Sequence, residues 1–117
     1  MVVPVPLHKH RERERGFNQS ELLARHFARL ASIPMHSNLL LRNKATQVQA
    51  GLSRRARRLN LSGAFSLPQK SEVVGRTILL IDDVFTTGTT LNECAKLLKE
   101  SGAPRVNVLT LARVIQG

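Results

Sequence analysis

Tryptophan and tyrosine are absent, and four phenylalanines are the whole aromatic content of 117 residues. A platform that stacks successive bases of a single strand needs aromatic rings, so that kind of nucleic-acid surface is poorly supplied. Cysteine is nearly absent too. Cys94 stands alone, which rules out an internal disulfide and a Cys-x-x-Cys metal knuckle and makes a cytoplasmic address the default expectation. The four histidines, His8, His10, His26 and His36, form no His-x-x-x-His pair. No apolar run approaches the roughly 20 residues of a membrane span, and no secretory leader is read at the start. The Gly-x-x-x-x-Gly-Lys-[Ser/Thr] phosphate loop and the Gly-x-Ser-x-Gly nucleophile elbow are both missing.

What remains is a chain of one-domain size, 42% hydrophobic with regular aliphatic runs and a formal net charge of +10. The charge is unevenly placed. Residues 8–60 carry twelve Lys/Arg against three acids, whereas the rest of the chain is close to balance at six against five. The basic first half is suited to a polyanion, either a small phosphorylated ligand or nucleic acid.

The stretch from Ile78 to Thr90, Ile-Leu-Leu-Ile-Asp-Asp-Val-Phe-Thr-Thr-Gly-Thr-Thr, organises the chain. Four consecutive aliphatic residues predict a strand buried on both faces, as in a parallel sheet covered by helices. That strand is expected to end at Asp82 and Asp83. A threonine loop around Gly88 follows, and Thr90 with Glu93 predicts a capping box at a helix start. Ligands of open α/β sheets bind at such strand-to-helix corners. Backbone amides and hydroxyls of Thr86, Thr87, Gly88, Thr89 and Thr90 suit a phosphate monoester. Ionised Asp82 and Asp83 accept only, so they suit sugar hydroxyls, directly or through hydrated Mg²⁺. Together they describe a site for a ribose 5-phosphate. Asp-Asp alone would favour an ordinary βα turn; the whole string is what carries the reading.

Elsewhere the pattern predicts a first strand over residues 1–5, with Pro4 near its end, and a charged loop over residues 8–15. That loop reads equally as a solvated surface segment or as a ligand contact. Asn18 is a good N-cap with Glu21 at N3, Phe17 and Leu22 fit a hydrophobic staple, and Leu23, Phe27, Leu30 and Ala31 mark one apolar helix face before Pro34. Residues 35–41 predict a second strand. Ser53 could cap a short helix bearing Arg54, Arg55, Arg57 and Arg58, either a solvated face or a lid or nucleic-acid segment. Residues 62–65 and 67–68 predict a return to the core as a short edge strand. Leu91, Ala95 and Leu98 predict the buried side of the helix after the threonine loop, ending near Gly102, with Cys94 packed as a small hydrophobe. Residues 106–112 predict the last strand.

The central string resembles the phosphoribosyl pyrophosphate (PRPP) signature of type I phosphoribosyltransferases. Val-Pro-Val-Pro at 3–6, Arg-Glu-Arg-Gly-Phe-Asn-Gln at 13–19 and Leu-Leu-Ala at 22–24 narrow the resemblance to the ComF family. So do Thr46, Gln49, Leu52, Ser53, Arg57, Asn60 and Gly-Ala-Phe at 63–65. The resemblance implies an α/β fold with a parallel sheet of about four to five strands between helices and a minimal or absent hood. Residues 1–117 are then expected to be a single phosphoribosyltransferase-like domain, without the N-terminal four-cysteine zinc module of many members. It further implies that Asp82 and Asp83 bind the ribose hydroxyls and Mg²⁺, and that residues 86–90 cradle the 5-phosphate. Residues 7–16 correspond to the pyrophosphate loop and residues 43–58 to the flexible catalytic loop. Arg15 and Arg57, then Arg13, are the implied pyrophosphate contacts. The implied chemistry is Mg²⁺-dependent pentosyl transfer with release of pyrophosphate, associated with natural competence and DNA uptake. The alternative is a non-catalytic accessory of DNA uptake that binds single-stranded DNA or partner proteins, with PRPP an effector only.

Overall fold

The computed structural model describes residues 1–7, 16–42, 64–85 and 88–113. Val2–Pro4 forms a strand, β1, with all three residues buried, and the long aliphatic run makes Thr77–Phe85 the central strand, β4. The last strand, Arg105–Arg113, is β5, and the three run parallel in the order β1-β4-β5. Val2, Val3 and Pro4 pair with Leu79, Leu80 and Ile81, while β4 pairs with β5 from Thr77↔Arg105 to Phe85↔Arg113. Pro4 is the last residue of its strand, where a missing N–H is tolerated.

Among the described residues, two α-helices flank the sheet. Gln19–Ala31 forms α1, whose N-cap is Asn18, with its side-chain oxygen accepting from the Ser20 amide at 3.0 Å. Thr89–Glu100 forms α2. Each helix covers one face. Val2, Ile81 and the partly buried Leu79 pack with Ala24 and Ala28 of α1. Val3, Ile78 and Leu80 belong to the larger cluster with Leu91, Cys94 and Leu98 of α2. The prediction of a strand buried from both sides is therefore met, and Cys94 is fully enclosed as expected.

Several local expectations need correction. Residues 35–41 are not one strand: Met35 makes a single parallel bridge to Val2, and Leu41–Arg42 forms β2, antiparallel to Phe65–Ser66, β3. Residues 37–40 form a turn and bend between the bridge and β2, with Leu39 and Leu40 both buried in the larger cluster. Arg42 stacks over the Phe65 ring at 5.3 Å. The close-packed side of α1 is made by alanines, so the backbone lies near the sheet; Leu23 and Phe27 border the contact and Leu30 is 85% exposed. The staple is not closed either, since Phe17 and Leu22 are each nearly half exposed. Glu21 pairs with Arg25 at 3.3 Å, one turn on. Val73, between the short 3-10 turn and β4, is fully buried in the larger cluster with Leu98 and Ala103.

Candidate functional site

Parallel pairing places the carboxyl ends of β1 and β4 at one edge of the sheet, and the two strands have different lengths there. β1 ends at Pro4, whereas β4 runs on to Phe85 beside β5. Asp82 and Asp83 therefore lie within β4, which is expected from the sequence to end at them and instead runs on to Phe85. They occupy the step where β4 continues beyond its β1 neighbour. The strand persists because β5 still supplies a ladder partner, Asp82 opposite Thr110.

The Asp82 carboxylate is held from within the protein. Its Oδ1 accepts from the Ser20 hydroxyl at 3.0 Å and from the Asp83 amide at 2.9 Å. Its pKa is raised to about 6, first by burial and then by the adjacent Asp83 carboxyl, against the lowering effect of the Ser20 hydroxyl and the Asp83 amide. Cys94 lies close enough to feel that charge. Burial, with Asp82 adding to it, pushes the thiol up to about 12, so it remains a packing residue and not a nucleophile.

The start of α2 differs from the predicted capping box. Gly88 is the N-cap, with φ 79°, and no side chain caps the helix. The Asn92 amide already bonds to the Gly88 carbonyl at 2.8 Å. Glycine in the left-handed region lets the chain enter the helix two residues sooner, so Thr90 sits inside the first turn and Glu93 is too far along to close the box. The N-cap glycine brings no side chain of its own over the first turn of the helix, and a helix N-terminus of this kind is the arrangement that anion sites use.

Of the residues singled out from the sequence, Asp82 and Asp83 lie on β4, Gly88 is the N-cap of α2, and Thr89 and Thr90 open that helix. Thr86, Thr87, Arg13, Arg15 and Arg57 lie outside the described residues. Ser20 was not anticipated as part of the site. Nothing in the local sequence connects it with Asp82, 62 positions away, and only the packing of α1 on the sheet brings them together.

Among the described residues no three His, Cys, Asp or Glu side chains converge as a metal cage. An adjacent carboxylate pair does fit Mg²⁺, which keeps most of its water and takes one or two carboxylates along with substrate oxygens. Among the same residues no helix is long and apolar enough to cross a membrane.

The sequence pattern of the phosphoribosyl transferase domain matches residues 20–117. Competence protein F of Haemophilus influenzae is 46% identical over 113 residues, covering 96% of this chain and 49% of that protein. The DNA utilization protein YhgH of Escherichia coli K12 is 42% identical over 114 residues, 97% of this chain and 49% of the relative. Competence protein ComFC of Bacillus subtilis is 40% identical over 114 residues, 97% and 44% respectively. The chain thus spans about half the length of these relatives. In fold it resembles the glutamine PRPP amidotransferase from B. subtilis, with a TM-score of 0.63 and 23% identity over 94% of this chain and 22% of that one. An α/β sheet of this topology with its acid pair at the central strand, together with these likenesses, shows that the chain belongs to the phosphoribosyl transferase domain family, in its ComF branch.

Proposed function

We propose that this chain binds PRPP at the β4–α2 corner and supports Mg²⁺-dependent transfer of the phosphoribosyl group with release of pyrophosphate. The observation that supports the reading is an acid pair on β4, with Asp82 held by Ser20, followed five residues on by a glycine-capped helix N-terminus. In this reading Asp82 and Asp83 accept from the ribose hydroxyls. The amides and hydroxyls of Gly88, Thr89 and Thr90, joined by Thr86 and Thr87, take the 5-phosphate. Arg13, Arg15 and Arg57 are assigned to the pyrophosphate, whose departure leaves oxocarbenium character at C1 of the ribose; their positive charge stabilises the leaving group. Asp82 and Asp83 would hold Mg²⁺, largely through water or ligand oxygens, and the ion when bound offsets charge on the phosphates. Residues 1–117 act in this proposal as one phosphoribosyltransferase-like domain, working in the cytoplasm. The names of the relatives connect it with competence and DNA use.

Calorimetry with PRPP and MgCl₂ tests the assignment. Saturable binding is expected in the wild type and none in the Asp82→Asn/Asp83→Asn double variant; equal affinities would remove the ribose role. Release of pyrophosphate with candidate acceptors then distinguishes an enzyme from a PRPP-responsive accessory.

The basic excess of the first half favours a second reading, an accessory of DNA uptake that binds single strands or partner proteins and uses PRPP as an effector. In that case affinity for a single-stranded oligonucleotide falls steeply with salt and drops when Arg54, Arg55, Arg57 and Arg58 become alanine. An affinity that ignores salt rejects it.

A further inference from the structure

The ladder between β1 and β4 opens where the acid pair begins. Leu79 donates to the Met1 carbonyl at 2.8 Å, and Val5 donates to the Ile81 carbonyl at 2.9 Å. By the alternation of a parallel ladder, the next rung would run from the Asp83 amide to the Val5 carbonyl. Neither group makes that bond. The Val5 carbonyl accepts from Asn18 Nδ2 at 3.2 Å, and the Asp83 amide donates to Ser20 Oγ at 3.2 Å and to Asp82 Oδ1. Two side chains from the first turn of α1 have replaced one rung of the sheet.

The insertion forms a closed circuit. Val5 bonds to Ile81; Ile81 is followed by Asp82; Asp82 accepts from Ser20; the Ser20 amide bonds to Asn18 Oδ1; and Asn18 returns to Val5. The Ser20 hydroxyl has one proton, which goes to Asp82, while a lone pair receives the Asp83 amide, so every bond in the circuit has one direction. Asn18 and Ser20 are both buried. An ordinary N-cap needs only the Asn18–Ser20 contact; the bonds from Ser20 to β4 are beyond what the helix requires.

We propose that Ser20 is the positioning residue of the acid pair: its hydroxyl, wedged into the opened β1–β4 ladder, fixes the Asp82 carboxylate and the Asp83 backbone in the orientation that meets the ribose hydroxyls. This rests on the ribose reading of the corner. Ser20 touches no ligand in this role; it acts through Asp82. The Gly88–Thr90 turn makes no bond to Ser20 in the circuit above, so Ser20 is expected to matter for the sugar and not for the phosphate.

That division is the test. Calorimetry in EDTA uses two probes, ribose 5-phosphate and inorganic phosphate, with Ser20→Ala, Ser20→Thr and the wild type, and thermal melts accompany each. Ser20→Ala should weaken ribose 5-phosphate by about tenfold, the equivalent of one hydrogen bond to a charged group, and leave inorganic phosphate unchanged. Ser20→Thr, which keeps the hydroxyl, should restore ribose 5-phosphate to within about twofold. If alanine unfolds the chain, Ser20→Cys keeps the volume with a much weaker donor and should show the same selective loss. Unchanged ribose 5-phosphate binding in Ser20→Ala overturns the proposal alone. Equal losses for both probes overturn it as well and leave Ser20 a purely structural residue. A wild-type chain that binds neither probe overturns the ribose reading itself.

Discussion

Burial raises Asp82 to about 6 from an ordinary value of 3.8, so the folded chain holds this proton more tightly than the unfolded one. The sign follows from linkage: this stabilising contribution is complete below about pH 4 and is lost as pH rises through about 6. After allowance for partial exposure to solvent, about 1 kcal/mol is at stake. Urea denaturation in EDTA at pH 4 to 7 should show that loss in the wild type, superimposed on the other titrations. Asp82→Asn should remove it, and identical pH profiles for the two proteins would refute the raised value. Cys94 provides a second residue-level check. With its thiol near 12, it should resist a disulfide reagent at pH 8 in the folded chain and react freely in denaturant. Fast labelling of the native protein would mean that α2 lifts from the sheet.

Among the elements, helix α1 was legible because Asn18 caps locally and Pro34 stops it locally; both signals act within a few residues. The start of α2 was misread because Thr90 and Glu93 satisfy a capping pattern, yet Gly88 at positive φ begins the helix first. Gly88→Ala should therefore destabilise the fold by about 1 kcal/mol and weaken inorganic phosphate, measured by melting and calorimetry. The far end of α2 depends on another glycine. Gly102 has φ 114°, and a Cβ there would lie 3.1 Å from Val74 Cγ2. Gly102→Ala is expected to lose about 1–3 kcal/mol in denaturant unfolding; a neutral result would show that Val74, already 62% exposed, simply moves aside.

At the scale of the molecule, stability resides in the two clusters on either side of β4, and the far edge of the sheet contributes little. Leu80 is fully buried and Leu111 is 70% exposed. Leu80→Ala should cost about 2–5 kcal/mol, whereas Leu111→Lys should change stability by less than about 0.5 kcal/mol. Leu23, Phe27, Leu30, Leu109 and Leu111 border an open apolar groove of about 290 Å³ on the α1 side of the sheet. If PRPP is the ligand, 100 times its dissociation constant should raise unfolding stability by about 2.7 kcal/mol, and no increment should appear in the double asparagine variant.

By itself the sequence determined the α/β class, the strand through residues 78–81, helix α1 and the body of helix α2. Each of these is written in contiguous residues, as an aliphatic run, a cap or a helical apolar face. Tertiary structure alone decided that the acids lie inside β4, that residues 35–41 divide between a bridge and β2, and that Ser20 reaches Asp82. Those outcomes depend on where neighbouring strands stop and on how closely alanines let α1 approach the sheet. Such relations join residues remote in the chain and leave no periodicity in it.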